Sequence, residues 1–579
     1  MLSVGILAKT ILVIAIPFVA AQSSNGPDGS EPTATVDSGP IIGISTQLPG
    51  SSSSVNQFLG IPFAQPPIDN LRFAPPQEPE SWEEPYEATT QPLACIQYSG
   101  PEGPLRDMSK TLFYNPPAPG ESEDCLYINV YAPSGGDPDK PVMFWLYGGS
   151  GTSGAISMPL YDGTNFAANQ DVVVVAAAYR VNVFGNPRSP QIELEAGNPG
   201  LLDQRLALDW VQRNAHAFGG DPDKVTIMGE SAGAVSVGNL INTYPDDPPF
   251  RAGVLMSGSN VVKIPPPLAN DDTETWDTLV ELLNCTSTSD EVMACMRDVS
   301  VETIRETMDD NALVFGEPVM DENAVISDTA AAWLTGNVAK VPILIGSTQD
   351  DGSFFVYDSP ATVNEFVVAT FGDNELAQLV DSLYSEGGPG VPGVTTDQQR
   401  LSKLVTDFLF ACSSGFAANM TTTLLDVPAW QYVFNATVPS NTFEEWPELG
   451  VWHSSEIAMV FGTYPREGSD ELEARLSESM QKMFADFIKD PKQGPGWDQY
   501  PRVAVLGVSD TDVTTTMEDM NTLNPVCQQW DVAYLTQMAS VSELSPEDLA
   551  ALPDGAVGNE TGSGADNAGE IADETSTAS

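Results

Sequence analysis

A Gly-x-Ser-x-Gly pentad, formed by Gly229, Ser231 and Gly233 with one residue between each pair, most constrains the fold of this chain. It follows the apolar run 225–228 and precedes 234–240, a stretch of small residues that is compatible with a helix. A strand, this pentad and a helix in that order predict a sharp turn that lifts the serine hydroxyl clear of a sheet. The flanking glycines leave room for the backbone to fold back on itself. The sequence therefore predicts a nucleophile at Ser231.

A nucleophilic serine needs a base that titrates near neutrality, and the chain has only two histidines, His216 and His453. His216 ends a helical run that stops at a pair of glycines, so we interpret it as a residue of the helix end. His453 lies in a loop-like stretch that leads into an apolar segment, where catalytic side chains often occur. His453 is therefore the predicted base.

The acid that would orient this base is harder to choose, because the chain contains 80 Asp and Glu residues. Residues 341–346 are typical of a buried strand, and Asp350 and Asp351 follow it closely. A carboxylate just beyond a strand can fix the imidazole tautomer and stabilise its cation. Asp351 is preferred, and the order Ser231, Asp351, His453 is that of α/β-hydrolases. The residues alone support this choice only weakly, and Asp350 competes with it.

A second glycine-rich stretch, 148–151, follows the apolar run 141–147. Small residues let backbone N–H groups approach a developing oxyanion closely, and each such donor lowers the barrier by about 2.7–4 kcal/mol. A glycine cluster by itself more often marks a plain turn. Its place after a predicted strand and ahead of the serine pentad favours an oxyanion loop.

Several longer stretches make the sequence resemble the type-B carboxylesterase/lipase family, which includes the cholinesterases and several fungal lipases. They are FLGIPFAQPP at 58–67, LRF at 71–73, SEDCLYINV at 122–130, GNPGLLDQRLALDWV at 197–211 and FGGDP at 218–222. The likeness extends from about residue 41 to about residue 532. It implies an α/β-hydrolase fold, a large and mostly parallel central sheet flanked by helices.

The resemblance also implies roles for individual residues. Ser231 would be the nucleophile, His453 the base and Asp351 the acid, and the oxyanion hole would comprise the N–H groups of Gly149, Ser150 and Ala232. The family usually has Glu at the acid position and glycine where Ser150 stands. A bulky aromatic usually follows, so Gly151 is expected to leave the pocket wall more open. A Cβ at position 150 narrows the allowed backbone angles.

The six cysteines suit an oxidising compartment. The family pattern implies the pairs Cys95–Cys125, Cys285–Cys295 and Cys412–Cys527, and the chain has no spacing typical of a metal site. Glycosylation acceptor triplets begin at Asn284, Asn419, Asn435 and Asn559. Asn284 is the least favourable acceptor, because it neighbours a cysteine that is expected to be bridged.

The two ends of the chain differ in composition from the middle. Residues 1–21 contain a short apolar core that ends in small residues, which predicts a cleaved signal peptide and secretion. We divide the rest into a leader at 22–40, one α/β-hydrolase domain at 41–539 and an acidic tail at 540–579. The tail has too little apolar surface to fold and is predicted to be disordered.

A formal charge of −57 disfavours nucleic acid and anionic membrane surfaces as partners. No stretch of transmembrane length and no apolar C-terminal tail is present, so no stable membrane anchor is expected. The expected substrate is a small-molecule or lipid ester, and no cofactor or metal is expected. The oligomeric state is not predicted.

The chain is therefore expected to be a secreted serine carboxylic-ester hydrolase. One alternative is an interfacial lipase or sterol esterase of the same family, in which the Cys95–Cys125 segment would act as a lid. That segment is short and of mixed polarity, which favours an esterase. Tyr114 and Gly100 stand where cholinesterases have choline-binding residues, which argues against choline esters. A second alternative is a binding protein that keeps the fold without the chemistry.

Overall fold

Two sheets organise the chain in a computed structural model, which describes residues 31–48, 53–113, 119–135, 138–260, 273–286, 289–372, 375–394, 396–531 and 534. The strands are β1 (Thr33–Val36), β2 (Gly39–Ile42), β3 (Ile44–Gln47), β4 (Ser54–Pro62), β5 (Tyr86–Glu87), β6 (Tyr127–Pro133), β7 (Lys140–Leu146), β8 (Val173–Ala177), β9 (Gly220–Glu230), β10 (Ala252–Met256), β11 (Ile343–Thr348), β12 (Ala429–Asn435), β13 (Arg502–Val508) and β14 (Val513–Asp519). Of these, β1, β2 and β5 form a small sheet, and the others form a sheet of 11 strands.

The helices that accompany these strands lie between them in the chain. They are α1 (Pro104–Phe113), α2 (Thr164–Gln170), α3 (Asn182–Gly185), α4 (Pro199–Asn214), α5 (Ala232–Thr243), α6 (Glu274–Leu282), α7 (Ser289–Asp298), α8 (Val301–Asn311), α9 (Thr329–Thr335), α10 (Val363–Phe371), α11 (Glu375–Tyr384), α12 (Asp397–Val405), α13 (Cys412–Leu424), α14 (Ile457–Phe461), α15 (Glu471–Lys489) and α16 (Met520–Leu523). A π-helical turn at Thr406–Ala411 joins α12 to α13.

The large sheet has the order β14-β13-β12-β11-β10-β9-β7-β8-β6-β4-β3. The central strands from β13 to β8 pair in parallel, and the pairs towards both edges are antiparallel. The predicted architecture, a mostly parallel sheet flanked by helices, is therefore confirmed. Because parallel neighbours end at the same edge, the loops after β9, β10, β11 and β12 emerge side by side.

The middle strands contain long apolar stretches because helices cover both faces of the sheet. Every residue of β8, β10 and β11 is buried. Helices α2, α14 and α15 pack against one another and the sheet, and α5, α9 and α13 form a second packed group. Among the described helices, none is long and apolar enough to cross a membrane.

Part of the predicted leader is built into this architecture. Strand β1 and the start of β2 fall within residues 22–40, and β1 pairs antiparallel with β2. Residue 30 and those before it, which include the predicted signal peptide, lie outside the described residues, as does the predicted tail at 540–579.

Three disulfides tie the chain together, and they are the pairs that the resemblance implies. Cys95–Cys125, Cys285–Cys295 and Cys412–Cys527 have Cα–Cα distances of 5.0, 5.5 and 5.0 Å. The first closes the segment that contains α1, and the third joins the start of α13 to the C-terminal end of the described chain.

Candidate active site

The sheet order brings together three residues that lie far apart in the sequence. Ser231 follows β9, Asp351 follows β11 and His453 lies in the loop between β12 and α14. These strands are neighbours in one parallel region, with only β10 between β9 and β11. Ligands and reactive side chains of open α/β sheets collect at this edge of the strands. The fold thus supplies the convergence that the motif order predicts.

Ser231 occupies the sharp turn between β9 and α5, with φ 55° and ψ −123°. This strained conformation is held by close packing. A Cβ at Gly229 would lie 2.4 Å from the carbonyl carbon of Gly233, and a Cβ at Gly233 would lie 2.1 Å from the carbonyl oxygen of Leu146. The backbone N–H of Ser231 also donates to the carbonyl of Met256 at 2.9 Å. A side chain at either glycine of the pentad would therefore collide with the neighbouring backbone.

His453 is buried, and its ring is held by Asp351. The distance from Nδ1 of His453 to Oδ1 of Asp351 is 2.7 Å. The other oxygen of Asp351 accepts a hydrogen bond from Ser257 Oγ at 3.0 Å and one from the backbone N–H of Thr348 at 2.8 Å. Asp351, with no exposed surface, is thereby fixed as an acceptor for the imidazole.

The neighbouring Asp350 has a different environment. Its Oδ2 accepts a hydrogen bond from the backbone N–H of Val451 at 2.9 Å, so it holds the loop that carries His453. The carboxylate that contacts the imidazole is therefore that of Asp351. Asp350 instead binds the backbone of Val451, two residues before His453.

A second carboxylate, which no sequence pattern predicts, lies on the other side of the imidazole. Oε1 of Glu230 is 3.2 Å from Nε2 of His453 and also accepts a hydrogen bond from Ser454 Oγ. Nε2 makes no hydrogen bond to any other described residue. The available signals were a glutamate inside the pentad and a serine beside His453, but neither indicates a contact across more than two hundred positions.

The carboxylates around His453 control its protonation. Burial disfavours the imidazolium, but the nearby charges of Glu230 and Asp351 outweigh this effect and raise the pKa of His453 to about 9. Burial also raises the pKa of Glu230. Glu456, one turn further along the chain, is buried near these two carboxylates, and its pKa is raised to about 8. The site holds several acidic groups around one base.

Three backbone N–H groups near the Ser231 side chain in the sequence or the cavity lining have no partner among the described residues. Those of Gly149, Ser150 and Ala232 donate no hydrogen bond within the part of the chain that the structure describes. Gly149 has φ 122° and Ser150 has φ 56°, so both lie in the left-handed region. The carbonyl of Gly149 accepts hydrogen bonds from the N–H groups of Thr152 and Ser153, which fixes the turn. Such a set of N–H groups can bind an oxyanion.

Gly151 is not among the residues that line the cavity. A Cβ at this position would lie 2.4 Å from the carbonyl oxygen of Gly316, so the two backbones touch. The carbonyl of Gly151 also accepts a hydrogen bond from the N–H of Asn182 at 2.7 Å. Gly151 is therefore packed against the backbone at Gly316.

A cavity of about 540 Å³ joins these groups. Ser231, Glu230, His453 and the loop from Gly148 to Ser150 line its base. Helix α1 forms one wall through Leu105, Ser109 and Phe113, and most of the remaining wall is apolar or aromatic. The Phe113 ring stands edge-on to that of Phe354, with the centroids 5.3 Å apart. Tyr114, the residue just beyond α1, lies outside the described residues.

The other predicted site residues lie elsewhere. His216 is exposed and does not line the cavity, in keeping with its interpretation as a helix-end residue. Asn435 is exposed at the end of β12, and Asn284 is exposed beside the bridged Cys285. The predicted glycan on Asn419 does not fit the structure, because this side chain is only 7% exposed within the packed helix α13. Asn559 lies outside the described residues.

No group of three or more His, Cys, Asp or Glu side chains within the described ranges is arranged to hold a metal ion. The polar groups of the cavity base are the hydroxyls of Ser231 and Ser150, the imidazole of His453, the carboxyl group of Glu230 and backbone N–H groups. This set can transfer protons and stabilise negative charge on oxygen.

The mostly parallel sheet, with a serine on the turn after β9, defines the fold as that of an α/β-hydrolase. A family model described as the carboxylesterase family matches residues 30–529. The chain is 32% identical over 504 residues to the acetylcholinesterase of Bungarus fasciatus, covering 80% of each chain. It is 31% identical to the crystal protein of Dictyostelium discoideum, covering 82% of this chain and 87% of that one.

A fungal relative extends this comparison. The chain is 30% identical over 530 residues to secreted lipase 5 of Gibberella zeae, covering 85% of this chain and 92% of that one. The chain therefore belongs to the carboxylesterase family and is a carboxylic ester hydrolase.

Proposed function

We propose that this protein hydrolyses esters through an acyl-enzyme on Ser231, with His453 as general base and Asp351 as the acid that orients it. The observation that carries the proposal is the 2.7 Å contact between His453 Nδ1 and Asp351 Oδ1 in a cavity that Ser231 also lines. This contact leaves Nε2 as the nitrogen that can take a proton from a hydroxyl.

The reaction proceeds in two steps. Ser231 Oγ attacks the ester carbonyl as its proton passes to His453 Nε2, and the N–H groups of Gly149, Ser150 and Ala232 bind the oxygen that gains negative charge. The carbonyl then re-forms, and the alcohol leaves with the proton from Nε2. Water repeats the same sequence and releases the acid.

One rearrangement precedes the first step. Nε2 faces Glu230 Oε1 at 3.2 Å and makes no hydrogen bond to Ser231 in this structure. Catalytic hydrogen bonds are often long without substrate and tighten when substrate binds. A bound ester fills the cavity, excludes water and favours the contact between the Ser231 hydroxyl and Nε2.

The cavity favours an ester with at least one compact apolar group. The aromatic residues Phe113, Phe354 and Phe355 line it, and its volume of about 540 Å³ is in the range of small-molecule sites. We therefore place soluble esters of small molecules first among the substrates.

A second candidate is the hydrolysis of lipid esters at an interface. Leu105 of α1 and Phe355 are 45% and 38% exposed, respectively, at the cavity wall. Large exposed apolar side chains beside a pocket favour contact with an apolar surface. The name of the fungal relative, secreted lipase 5, agrees with this second candidate.

One assay separates these functions. We would measure hydrolysis of p-nitrophenyl esters from acetate to palmitate, below and above their solubility limits, with Ser231→Ala as the matched control. Hydrolysis of short soluble esters supports the first candidate, and activity only on long chains above solubility supports the second. No rate above that of Ser231→Ala, together with no fluorophosphonate labelling of Ser231, contradicts both.

We also propose that the protein is secreted. Three disulfides within one domain are typical of an oxidising compartment. The apolar stretch at 11–21 has the features of a signal peptide. Expression of the full chain in a eukaryotic host should yield protein in the medium that begins near residue 22, and retention of an uncleaved chain in the cell would contradict this.

A further inference from the structure

The hydroxyl of Ser150 has no partner within the described residues, although its loop neighbours use theirs. Thr152 Oγ1 and Ser153 Oγ both donate to the carbonyl of Gly149, at 3.0 and 3.3 Å. Ser150 itself is exposed and lines the cavity beside Ser231. The Ser150 side chain is therefore accessible from the cavity, and its hydroxyl plays no part in fixing the turn.

A serine at this position also has a conformational cost. Ser150 has φ 56°, between Gly149 at φ 122° and Gly151 at φ 67°. The left-handed conformation costs a residue with a Cβ about 1 kcal/mol or more, and glycine avoids this cost. Glycine would thus satisfy the backbone better than serine does, so the loop conformation does not explain the side chain.

The backbone on both sides of the serine has little freedom to move. A Cβ at Gly316 would lie 2.4 Å from the carbonyl oxygen of Ser150, and Gly151 touches the carbonyl of Gly316 in return. The Cα of Ser150 is therefore fixed relative to the cavity, and only rotation about its Cα–Cβ bond moves the hydroxyl. Two of the three staggered positions of this bond place Oγ gauche to the serine's own backbone nitrogen.

We propose that Ser150 Oγ is a further catalytic group, a fourth hydrogen-bond donor to the oxyanion. The N and Oγ atoms of one serine are separated by three bonds, so both can donate to the same oxygen. When Ser231 Oγ bonds to the carbonyl carbon, the electron pair of the C=O bond moves to the oxygen and the Ser231 proton moves to His453 Nε2. Ser150 Oγ–H then donates to that oxygen together with the three N–H groups.

This inference rests on the proposed function, and the variants Ser150→Ala and Ser150→Gly test it. Alanine removes the hydroxyl and keeps the Cβ, whereas glycine also removes the conformational cost. We expect both variants to lose about 100-fold in kcat on p-nitrophenyl butyrate, the lower end of the loss for one oxyanion donor, with KM unchanged. Thermal unfolding of each variant establishes that it is folded.

A trifluoromethyl ketone provides a second measurement, because its adduct with Ser231 carries the same oxyanion. Its affinity should fall in both variants by about the factor lost in kcat. A kcat and a ketone affinity within twofold of the unmodified protein in both variants would overturn the inference, as would a loss confined to KM. Full activity in the glycine variant alone would also overturn it, because the side chain would then matter only through strain.

Failure of the proposed function has a different signature. In that case the unmodified protein hydrolyses no ester and its Ser231 does not react with a fluorophosphonate. If the unmodified protein is active and labelled while the Ser150 variants match it, only the role of Ser150 is wrong.

Discussion

His453 Nε2 lies 3.2 Å from Glu230 Oε1, while Nδ1 of the same ring lies 2.7 Å from Asp351 Oδ1. The imidazole is thus held between two buried carboxyl groups, one just before Ser231 in the chain and one beyond β11. Both stabilise the protonated ring, so the base becomes neutral only at a higher pH than an isolated histidine does.

The first prediction concerns Glu230→Gln. A general base must be neutral to accept a proton, so kcat/KM should rise with pH as His453 deprotonates, near its pKa of about 9. Removal of the Glu230 charge lowers that pKa, so the rise should move to lower pH by roughly 1–3 units. The pH profile of kcat/KM measures this.

Other charged groups facing the ring remain in this variant, namely Asp351 and the buried Glu456. Glu456→Gln is therefore a comparison variant that should give a smaller shift in the same direction. An unchanged profile in Glu230→Gln would show that this carboxyl group does not set the protonation of His453.

The second prediction separates the two neighbouring aspartates. Asp351→Asn removes the carboxylate that stabilises the imidazolium and should lower kcat by roughly 10⁴-fold, as for the carboxylate of other serine hydrolases. Asp350→Asn keeps an oxygen that can accept from Val451 N–H, so kcat should fall by less than about 10-fold. Steady-state kinetics of both variants on one soluble ester measure these two losses in kcat. Equal losses in the two variants would be inconsistent with Asp351 as the acid.

The third prediction concerns two disulfides that span different lengths of chain. Cys412–Cys527 joins residues 115 apart and Cys285–Cys295 joins residues 10 apart. Loop entropy predicts about 5 kcal/mol of stabilisation for the first and about 3 kcal/mol for the second. Urea unfolding of the two double Cys→Ala variants measures the free energy of unfolding that each disulfide contributes. The variant without Cys412–Cys527 should lose more of it than the variant without Cys285–Cys295. The reverse order would mean that loop entropy does not dominate.

The fourth prediction concerns glycans, and it applies to protein made in a eukaryotic secretory host. Asn435 is exposed at the end of a strand, and Asn419 is buried in α13. Asn435→Gln should therefore lower the mass of the secreted protein by one glycan, while Asn419→Gln should leave the number of glycans unchanged. Mass spectrometry before and after enzymatic deglycosylation tests both, and a glycan on Asn419 would contradict the packing of that helix.

The sequence predicts the parts of the site that depend on chain order. Strand β9, the turn at Ser231 and α5 all form around the pentad, and the run at 341–346 overlaps β11. Such local patterns are readable because continuous apolar runs mark strands that are buried on both faces. The disulfide pairs depended on the family resemblance, since they do not follow from spacing.

The contacts between distant side chains could not be predicted. Ser454 and Glu230 are adjacent in space through a hydrogen bond, yet each is only a polar neighbour of a predicted residue in the sequence. The packing of Gly151 against Gly316 was also missed, because a glycine gives no indication of which backbone approaches it. Both depend on how two loops meet above the sheet, and that geometry is set by the whole fold.

The two histidines differ in a way that magnetic resonance can exploit. His216 is exposed to water, whereas His453 is buried and its Nδ1 faces Asp351 at 2.7 Å. A proton held in that contact exchanges slowly with solvent and should give a resolved low-field signal, while the exposed ring should give none. With two rings in the chain, the signal is assigned without any mutant. The protonation of the proposed base can thus be followed directly while an ester analogue is titrated into the cavity.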